Sequence, residues 1–434
     1  MTRTVLAALL ALGMAHSAAA QAVVGGSAET DLGVLVSPSD PAASALQGSL
    51  VFRPTLHAAT DVLEVSVQAS IDVDLAGLGT SFTLDALEVD ATPWEFLKLS
   101  AGRMNYVTGA VSLLSPVSWW TRIDWDSLIS GRLADILVPA DLLQVRLLWG
   151  DAALVLAVDP FPRRATFPST DSAWFPGKDI PPSIPIGFPV NQTLVLESVT
   201  MEDPALPAAQ PQTMSASAEA TATVGPVDAS LLYYHGYDMS PLVQARLDFP
   251  YGLYKAFDVI LTPVDRVIDA CGLSATASVS ELRICGDLAW TLAKTFSTER
   301  LSASTFQTVL AVAPYLEYAL EATWEHPQPH LTVSCEWKGS WIPTPPAGVV
   351  MPLLSSVLVG TTSVRLLDEK LSLGTSTIIS LQDNSAAILA DVSFNPSSEI
   401  TVQVGAPFFF GAATTELGEF AANHLVTLTS VWRF

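Results

Sequence analysis

The stretch from Leu63 to Leu75, LEVSVQASIDVDL, decides the fold. Every odd-numbered residue in it is apolar and every even-numbered residue is polar. Side chains alternate between the two faces of a β-strand, so the pattern predicts a strand with one apolar face and one polar face. Soluble strands usually have about 5–6 residues, whereas a tilted strand that crosses a bilayer needs about 9–11 residues of this kind.

The same alternation recurs along the chain, often as two strands joined by a short turn. The pattern of residues 213–224 turns at Gly225-Pro226 and returns from Val227 to Tyr233. At Ser280-Glu281 the alternation changes phase, which is typical of a tight turn between antiparallel strands. We predict an all-β chain that forms a transmembrane antiparallel up-and-down barrel. At roughly 22–26 residues per strand and link it has 16 strands, with 14 or 18 as neighbouring values.

Further strands are predicted in the second half of the chain. Val243, Ala245, Leu247 and Phe249 alternate with polar residues, and so do the residues from Leu316 to Trp324. Residues 388–394 lead through Asn395-Pro396-Ser397-Ser398 into another alternating strand. We expect short turns at one end of the barrel and longer links at the other.

The N-terminus has the pattern of a secretory signal peptide. Thr2-Arg3 is a positive n-region, Val5 to Met14 an apolar h-region, and Ala18-Ala19-Ala20 a small-residue cleavage site. We expect residues 1–20 to be removed and residues 21–434 to form the barrel. No cysteine lies near the cleavage site, which argues against a lipoprotein.

The composition is hydrophobic without a helical membrane span. Half of the residues are hydrophobic and the mean hydropathy is +0.40, but no stretch reaches the ~18 consecutive apolar residues of a spanning helix. An exported chain of this composition favours a barrel in the outer membrane of a diderm bacterium. A large secreted soluble β protein is the alternative.

The chain is strongly acidic. Its formal charge is −23, and it becomes −24 when Arg3 leaves with the signal peptide. Such a charge argues against nucleic acid as a partner. The acids either attract cations to a pore or keep the links soluble, and the sequence leaves both interpretations open.

Charged residues at polar strand positions are the candidates for the lining of the pore. They are Glu64, Asp72, Asp74, Arg103, Arg146, Glu317, Glu321 and Glu325. Glu317 and Glu321 would lie ~13 Å apart on one face, too far to bind one ion but close enough to create a negative potential. The alternative is a solvated face whose charge is offset by Arg and Lys on neighbouring strands.

Two regions interrupt the alternation. Asp124 to Leu137 has the apolar stripe of a short amphipathic helix that ends before Pro139. Asp159 to Pro189 contains eight prolines, which exclude regular strand pairing and predict a long loop. Our hypothesis is that one or both segments fold into the mouth of the barrel and narrow it.

The last strand, His424 to Phe434, places Trp432 and Phe434 on its apolar face. A Phe that ends an alternating strand resembles the C-terminal signal of bacterial outer-membrane barrels, which their assembly machinery recognises. Several tryptophans near strand ends also suggest an aromatic girdle. These are Trp94, Trp149, Trp324, Trp337 and Trp432.

The stretch from Ala101 to Pro176 resembles a family of porin-like outer-membrane barrels that includes the alginate-export type. The residues that carry the resemblance are Gly102-Arg103, Pro139-Ala140-Asp141, the strand Leu142 to Trp149, Asp159-Pro160-Phe161-Pro162-Arg163 and the segment Ser169 to Pro176. Many relatives have Trp-Gly after the Gly-Arg pair, where this chain has Tyr106 and Gly109. The resemblance implies a wide single-chain barrel that passes small solutes or exports a polymer. The acidic balance argues against the anionic polymer of the alginate type.

No motif for catalysis, a metal or a cofactor is recognisable, and we expect no enzymatic activity. His235 near Asp238 is a formal candidate for a hydrolase pair at the rim of the barrel. A bridge between Cys271 and Cys285 is conceivable in an oxidising compartment.

Three functions follow from this sequence. The first is a porin or channel for passive passage of small solutes, with a preference for cations. The second is a barrel that transports hydrophobic molecules, for which apolar residues at inward positions such as Leu148, Leu232 and Leu389 would argue. The third is a structural or adhesive barrel with binding loops. Expected partners are outer-membrane lipid, the barrel-assembly machinery and small solutes, and the oligomeric state is open.

Overall fold

A computed structural model describes most of the chain. It covers residues 21–35, 46–74, 80–112, 115–120, 122–123, 137–161, 183–186, 192–202, 214–238, 242–249, 256–301, 306–327, 330–351, 354–422 and 425–434. Residues 1–20, and with them the predicted signal peptide, lie outside this part. So does the predicted helix from Asp124 to Leu137, except for Leu137 itself, which belongs to a short strand.

Twenty-four strands are found in the described residues. In the first half of the chain they are β1 Gln21–Leu35, β2 Leu46–Ala59, β3 Leu63–Asp74, β4 Thr80–Trp94, β5 Leu97–Met104, β6 Arg122–Ile123, β7 Leu137–Val138, β8 Ala140–Trp149, β9 Ala152–Asp159, β10 Ser183–Ile186, β11 Gln192–Met201 and β12 Ser215–Val224. In the second half they are β13 Val227–Tyr237, β14 Leu242–Asp248, β15 Ala256–Val264, β16 Val267–Val279, β17 Leu282–Leu301, β18 Thr308–His326, β19 Leu331–Trp341, β20 Leu354–Leu366, β21 Leu371–Ser380, β22 Ser385–Phe394, β23 Ile400–Phe410 and β24 Leu425–Arg433.

Eighteen of these strands form one closed antiparallel barrel. Each barrel strand pairs with the next in the chain, and β24 pairs with β1 to close the ring. The predicted fold class is therefore confirmed, but the strand number is 18 and not 16. The number is higher because ten of the connections between barrel strands have only two to five residues, which leaves more of the chain for strands.

The two ends of the barrel differ as predicted. The turns between residues 60–62, 95–96, 150–151, 225–226, 280–281, 327–330, 367–370 and 395–399 all lie at one end, which we call the turn end. The longer connections lie at the opposite end, which we call the link end, and the longest joins β9 to β12. The predicted turns at Gly225-Pro226, Ser280-Glu281 and Asn395 to Ser398 are all present.

Four strands form a second, smaller sheet in the order β10-β11-β15-β14, with β11 and β15 parallel. Both parts of this sheet belong to connections at the link end. The strand predicted from Val243 to Phe249 is β14, so it lies in this sheet and not in the barrel. The expectation that prolines exclude pairing between Asp159 and Pro189 is wrong for β10, since Pro185 pairs opposite Thr193 at an edge, where a missing N–H is tolerated.

The barrel has an apolar outer wall and a polar inner wall. On β17, for example, Leu282, Ile284 and Leu288 are exposed on the outer face, whereas Asp287 is buried on the inner face. The alternating stretch at residues 63–75 is arranged in the same way. Its apolar residue Ile71 is exposed on the outer wall, and its polar residue Ser70 is buried on the inner wall against β4. Among the described residues, no helix is long and apolar enough to span a membrane.

Candidate luminal site

The connection between β5 and β8 turns into the barrel and follows its inner wall. We call its described residues 105–112 and 115–120 the luminal segment. The segment makes hydrogen bonds with β12 and with β17 and β18, although these strands are more than a hundred residues away in sequence. A connection with such contacts occupies part of the lumen.

An aromatic cluster fixes the part of the luminal segment that lies against β13. Trp120 packs edge-on against Tyr234 of β13 with ring centroids 5.4 Å apart, and Trp119 stacks on the same ring at 5.6 Å. The indole N–H of Trp120 also donates to the Ser217 hydroxyl at 3.0 Å. Trp120 and Tyr234 are both buried. They form a packed core and not an exposed platform for a ligand.

Tyr106 connects the segment to β12. Its hydroxyl donates to the Glu219 carboxylate at 2.9 Å. Burial raises the pKa of Tyr106, and the negative charge of Glu219 acts in the same direction, so the hydroxyl keeps its proton and remains a donor.

Two glycines allow the close approach of the segment to the wall. Gly109 has a φ of +99°, and a Cβ at this position would fall 2.1 Å from the Ser115 hydroxyl oxygen. On the wall, a Cβ at Gly272 would fall 2.6 Å from a methyl carbon of Val117. Any side chain at either position would push the segment away from the strands.

Two carboxylates of the wall hold the backbone of the segment. Asp287 of β17 accepts the amide N–H of Ala110 at 2.9 Å and that of Val111 at 3.1 Å. Glu321 of β18 accepts the next amide, from Ser112, at 2.6 Å, and the Ser112 hydroxyl at 3.1 Å. Three consecutive amides therefore point at two neighbouring acids, and such charge-assisted hydrogen bonds are about twice as strong as neutral ones.

Glu321 has further partners. Arg283 donates to Glu321 Oε1 at 3.1 Å and to the Ser112 hydroxyl at 3.2 Å, and the Thr323 hydroxyl donates to the same carboxylate oxygen at 2.7 Å. The Glu321 side chain is 3% exposed. Its charge is therefore fully engaged in holding the segment, and it is not presented to a passing solute.

The three glutamates predicted on one face of β18 share that face but not their surroundings. Glu317 forms an ion pair with Lys338 at 3.6 Å. Glu325, near the turn end, is exposed, and its side chain makes no hydrogen bond or ion pair within the described part of the chain. Basic residues on neighbouring strands therefore offset the charges of Glu317 and Glu321, as the alternative interpretation of the sequence expected, but not that of Glu325.

The other predicted residues lie on β3, β5 and β8. Glu64 and Asp72 are on the polar face of β3, where Glu64 lies 3.8 Å from His57. Asp74 is the last residue of β3. Arg146 shares the inner face of β8 with the buried Gln144.

Arg103 is placed differently. It pairs with Asp141 at 3.0 Å and also donates to the Leu84 carbonyl at 2.6 Å. Alternation along β5 puts Arg103 on the face of Leu99, which is exposed on the outer wall. The residues of the sequence resemblance, Gly102-Arg103 and Asp141, are thus neighbours in space and join three strands. Arg103 is not part of the luminal site.

Asp287 and Glu219 are site residues that the sequence did not single out. Both occupy polar positions of alternating strands, and this is the only signal that could have found them. Their partners are far away in sequence, since Ala110 and Asp287 are 177 positions apart.

The histidine and cysteine expectations are corrected. Asp238 pairs with Lys294 at 3.4 Å, and His235 pairs with Asp269 at 2.8 Å. Cys271 and Cys285 are free, and they lie on opposite faces of neighbouring strands, Cys271 exposed and Cys285 buried. Within the described residues no group of His, Cys, Asp and Glu could hold a metal ion.

Phe434 and four of the five tryptophans lie near the turn end. Trp94, Trp149, Trp324 and Trp432 are near strand ends that lead to that end of the barrel, and all four are exposed. Trp337, also exposed, lies within β19. Phe434 is exposed on the same face as Trp432, with ring centroids 5.4 Å apart.

No protein-family model and no curated protein matches the chain. Solved porin structures do resemble it. A mutant of the Rh. blastica porin is 10% identical, with 95% of this chain and 100% of that chain covered and a TM-score of 0.41. Salmonella typhi OmpF, solved in complex with daunomycin, is 9% identical, with 95% and 97% covered and a TM-score of 0.40. The alginate-export subfamily suggested by the sequence is not confirmed by these comparisons and remains a prediction.

Proposed function

We propose that this chain forms a channel for passive passage of small solutes across the outer membrane of a diderm bacterium. The observation that carries the proposal is the closed ring of 18 strands with an apolar outer wall and a polar inner wall. Barrels of 16–18 strands enclose a lumen wide enough for water. The apolar outer wall suits the hydrocarbon of a bilayer, and the exposed tryptophans at the turn end suit its interface.

The luminal segment gives the channel a narrow zone. It covers the inner wall from β12 to β18 and is held by Asp287 and Glu321. Solutes then pass between this segment and the opposite wall, which consists of the first strands and the last strands of the barrel.

We further propose that the channel prefers cations. The inner wall from β1 to β5 carries more acids than bases. The acids are Glu29, Glu64, Asp72, Asp85, Glu88 and Asp90, and the bases are Arg53 and Lys98. Two of the acids are offset, because Arg53 contacts Glu29 and Lys98 lies 2.7 Å from Asp90. The excess of carboxylates in a confined space concentrates cations by electrostatic focusing.

The experiment is single-channel recording of the refolded protein in planar bilayers. We expect stepwise conductance, and in a salt gradient a reversal potential of the sign given by excess cation current. Folded protein that inserts but never conducts would contradict the channel.

Absence of conductance would favour a structural or adhesive role, for which the second sheet offers an ordered surface at the link end. Its apolar core of Leu194, Phe257 and Val259 is buried. The hydrophobic-transport alternative has weaker support, because the inward-facing Leu232 is buried beneath the luminal segment and unavailable to a cargo.

Residues 1–20 are proposed as the cleaved signal peptide, and Trp432 and Phe434 as the signal recognised by the barrel-assembly machinery. The proposed role is non-enzymatic and needs no cofactor. The molar mass of the detergent-solubilised protein, measured by light scattering, decides between a monomer and a trimer.

A further inference from the structure

Arg146 is a base of the inner wall without an acidic partner. Five other bases on that wall each pair with a carboxylate: Arg53, Lys98, Arg283, Lys294 and Lys338. The Arg146 guanidinium forms no ion pair within the described part of the chain, and its buried Nε has no hydrogen-bond partner there. The chain has 43 acidic and 20 basic residues, so the missing partner does not reflect a shortage of acids.

An acid with spare capacity lies on the same row of the inner wall. Arg146 of β8 and Glu219 of β12 both pair with Val155 of β9, which places their backbones two strands and ~9.6 Å apart. They form no ion pair with each other. The Tyr106 hydroxyl occupies Glu219 Oε2, and Glu219 Oε1 has no hydrogen bond within the described residues.

Both charges lie near the Tyr106 phenol of the luminal segment. Burial contributes most to the raised pKa of Tyr106, Glu219 raises the pKa further, and Arg146 lowers it. Charged groups change a pKa in this way only from nearby. The free guanidinium and the free carboxylate oxygen therefore border one small region of the lumen, next to the segment that narrows the channel.

Two further charges border this region on the side of β5. Lys98 pairs directly opposite Arg146, and Asp90 lies 2.7 Å from the Lys98 ammonium. Like charges directly opposite each other are destabilising, and Asp90 offsets only Lys98. A carboxylate bound to Arg146 would relieve this repulsion. It would also accept two parallel hydrogen bonds from the guanidinium, the strongest arrangement for such a pair.

We propose that Arg146 and Glu219 form a site for zwitterionic α-amino acids in the narrow zone of the channel. The proposal rests on the proposed function, since the solute reaches the site through the lumen. The carboxylate of the solute pairs with the Arg146 guanidinium, and its ammonium group donates to Glu219 Oε1.

The spacing and the charges together select this class of solute. Two hydrogen bonds of ~2.9 Å take up ~6 Å of the ~9.6 Å between the two strands, which leaves the ~3–4 Å that separates a carboxylate from an ammonium group on the same carbon. A solute with only a carboxylate would be repelled by Glu219 and Asp90. A solute with only an amine would leave Arg146 unpaired. A zwitterion has no net charge, so the acidic wall from β1 to β5 does not exclude it.

The test is single-channel recording with three probes of similar size. They are L-glutamine, glutaramic acid, which lacks the α-ammonium group, and γ-aminobutyramide, which lacks the α-carboxylate. Each probe is added at rising concentration, and the half-maximal reduction of the open-channel current gives its affinity. We expect L-glutamine to bind most tightly and each analogue to bind about tenfold more weakly, the effect of one charge-assisted hydrogen bond.

Two variants assign the two halves of the site. Arg146→Gln should weaken the binding of L-glutamine about tenfold without changing that of γ-aminobutyramide, which has no carboxylate to lose. Glu219→Gln keeps an acceptor for the Tyr106 hydroxyl, and it should weaken L-glutamine without changing glutaramic acid. Arg53→Gln is the matched control, because it removes the same charge from the inner wall at β2 and should leave all three affinities unchanged. Recording at 1 M salt, where the Debye length is ~3 Å, keeps the effect of distant charges small.

A second measurement covers a solute that binds without reducing the current. Uptake of labelled L-glutamine into proteoliposomes should saturate for the wild-type protein and rise linearly with concentration for Arg146→Gln. Heat-modifiable migration in electrophoresis verifies that each variant is folded.

Equal affinities of the three probes for the wild-type protein would overturn the proposal, and so would uptake of L-glutamine that does not saturate. Tightest binding of glutaramic acid would also overturn it and would assign Arg146 to an anion site without Glu219. A conducting channel with no preference for L-glutamine overturns this inference alone, whereas a folded protein that never conducts overturns the proposed function.

Discussion

Phe434 and Gly26 exchange two backbone hydrogen bonds, each with an N···O distance of 3.0 Å. The Phe434 ring lies over Gly26, where an added Cβ would be 2.9 Å from the ring carbon Cζ. The same ring stacks on Phe52 with centroids 5.7 Å apart. Because residue 26 has no side chain, the Phe434 ring has room to lie over the seam where the first strand, β1, pairs with the last strand, β24.

The first prediction compares two glycine substitutions. Gly26→Ala should destabilise the barrel by about 1–3 kcal/mol, because the new methyl group is overpacked against Phe434 and the Arg53 carbonyl. Gly360→Ala is the control, since a Cβ there meets nothing within 4 Å. The folded fraction in a urea titration, measured by heat-modifiable migration, should fall only for Gly26→Ala. Equal midpoints would show that the Phe434 ring is not confined by residue 26.

The second prediction concerns the two walls. Val67→Arg should lower the amount of inserted protein far more than Ser66→Arg, because an arginine facing the bilayer midplane costs ~2–4 kcal/mol. Ser66 pairs with Glu88 in the β3–β4 register, so an arginine at position 66 lies next to a carboxylate on the polar inner wall. Folding yield into vesicles measures the difference. Similar yields for both variants would mean that the Val67 face is not against lipid.

The third prediction concerns the anchor of the luminal segment. Asp287→Asn and Glu321→Gln each remove the charge that holds backbone amides, and each should weaken the anchor by about 1.5–3 kcal/mol. We expect larger or noisier single-channel conductance, since the segment then leaves the wall for part of the time. Glu317→Gln lies on the same face of β18 without contact to the segment and should record like wild type. Current noise that is unchanged in both Asp287→Asn and Glu321→Gln would refute the anchoring role.

The fourth prediction isolates the electrostatic contribution to selectivity. Glu325→Gln should reduce the excess of cation current at low salt, because Glu325 is exposed and has no basic partner among the described residues. The wild-type preference itself should shrink toward 1 M salt, where the Debye length is ~3 Å. Reversal potentials in salt gradients measure both effects. A Glu325→Gln channel that matches wild type at every salt concentration would remove this residue from the conduction path.

The fifth prediction concerns pH at the link end. Burial disfavours ionisation of Asp383, but hydrogen bonds from nearby hydroxyl and amide groups outweigh it and lower the pKa of Asp383 below its usual 3.8. Among them, the Ser385 hydroxyl and the Glu416 amide each donate at 2.8 Å. Burial and the Asp383 charge raise the pKa of Glu416 above its usual 4.5.

Because the two pKa shifts have opposite signs, the local stability of this region should pass through a maximum as the pH changes. The lowered pKa of Asp383 contributes stability above pH 3.8 that is lost as the pH falls through its folded-state value. The raised pKa of Glu416 contributes stability below pH 4.5 that is lost as the pH rises through its folded-state value. Hydrogen exchange of residues 411–422, corrected for intrinsic rates, should therefore be slowest between these limits. The maximum should disappear in Asp383→Asn.

Alternation predicted the barrel because one wall contacts lipid and the other water, which imposes period two on every spanning strand. It could not show that β14 and β15 belong to another sheet, because an amphipathic strand has the same pattern wherever one of its faces is buried. For Pro185 the error was the reverse, because the prolines predicted a loop where the structure has the strand β10. Proline excludes a central strand position but not an edge position.

The luminal site was predictable only in part. The polar phase of β18 identified Glu317, Glu321 and Glu325, but nothing local distinguishes the acid that holds the segment from the acid that pairs with Lys338. That difference arises from contacts between residues such as Ser112 and Glu321, which are 209 positions apart. The narrowing hypothesis named Asp124–Leu137 and Asp159–Pro189, whereas the contacts with the wall come from the residues just before the first of these.

The anchor formed by Asp287 and Glu321 engages main-chain amides, with only the Ser112 hydroxyl added. Ala110 and Val111 can therefore mutate with little effect on the anchor, provided that their packing volume is kept. Proline is the exception at both positions, because it has no N–H to donate. The chain can thus alter the width and chemistry of its narrow zone through point mutations in the segment while the attachment to the wall is inherited unchanged.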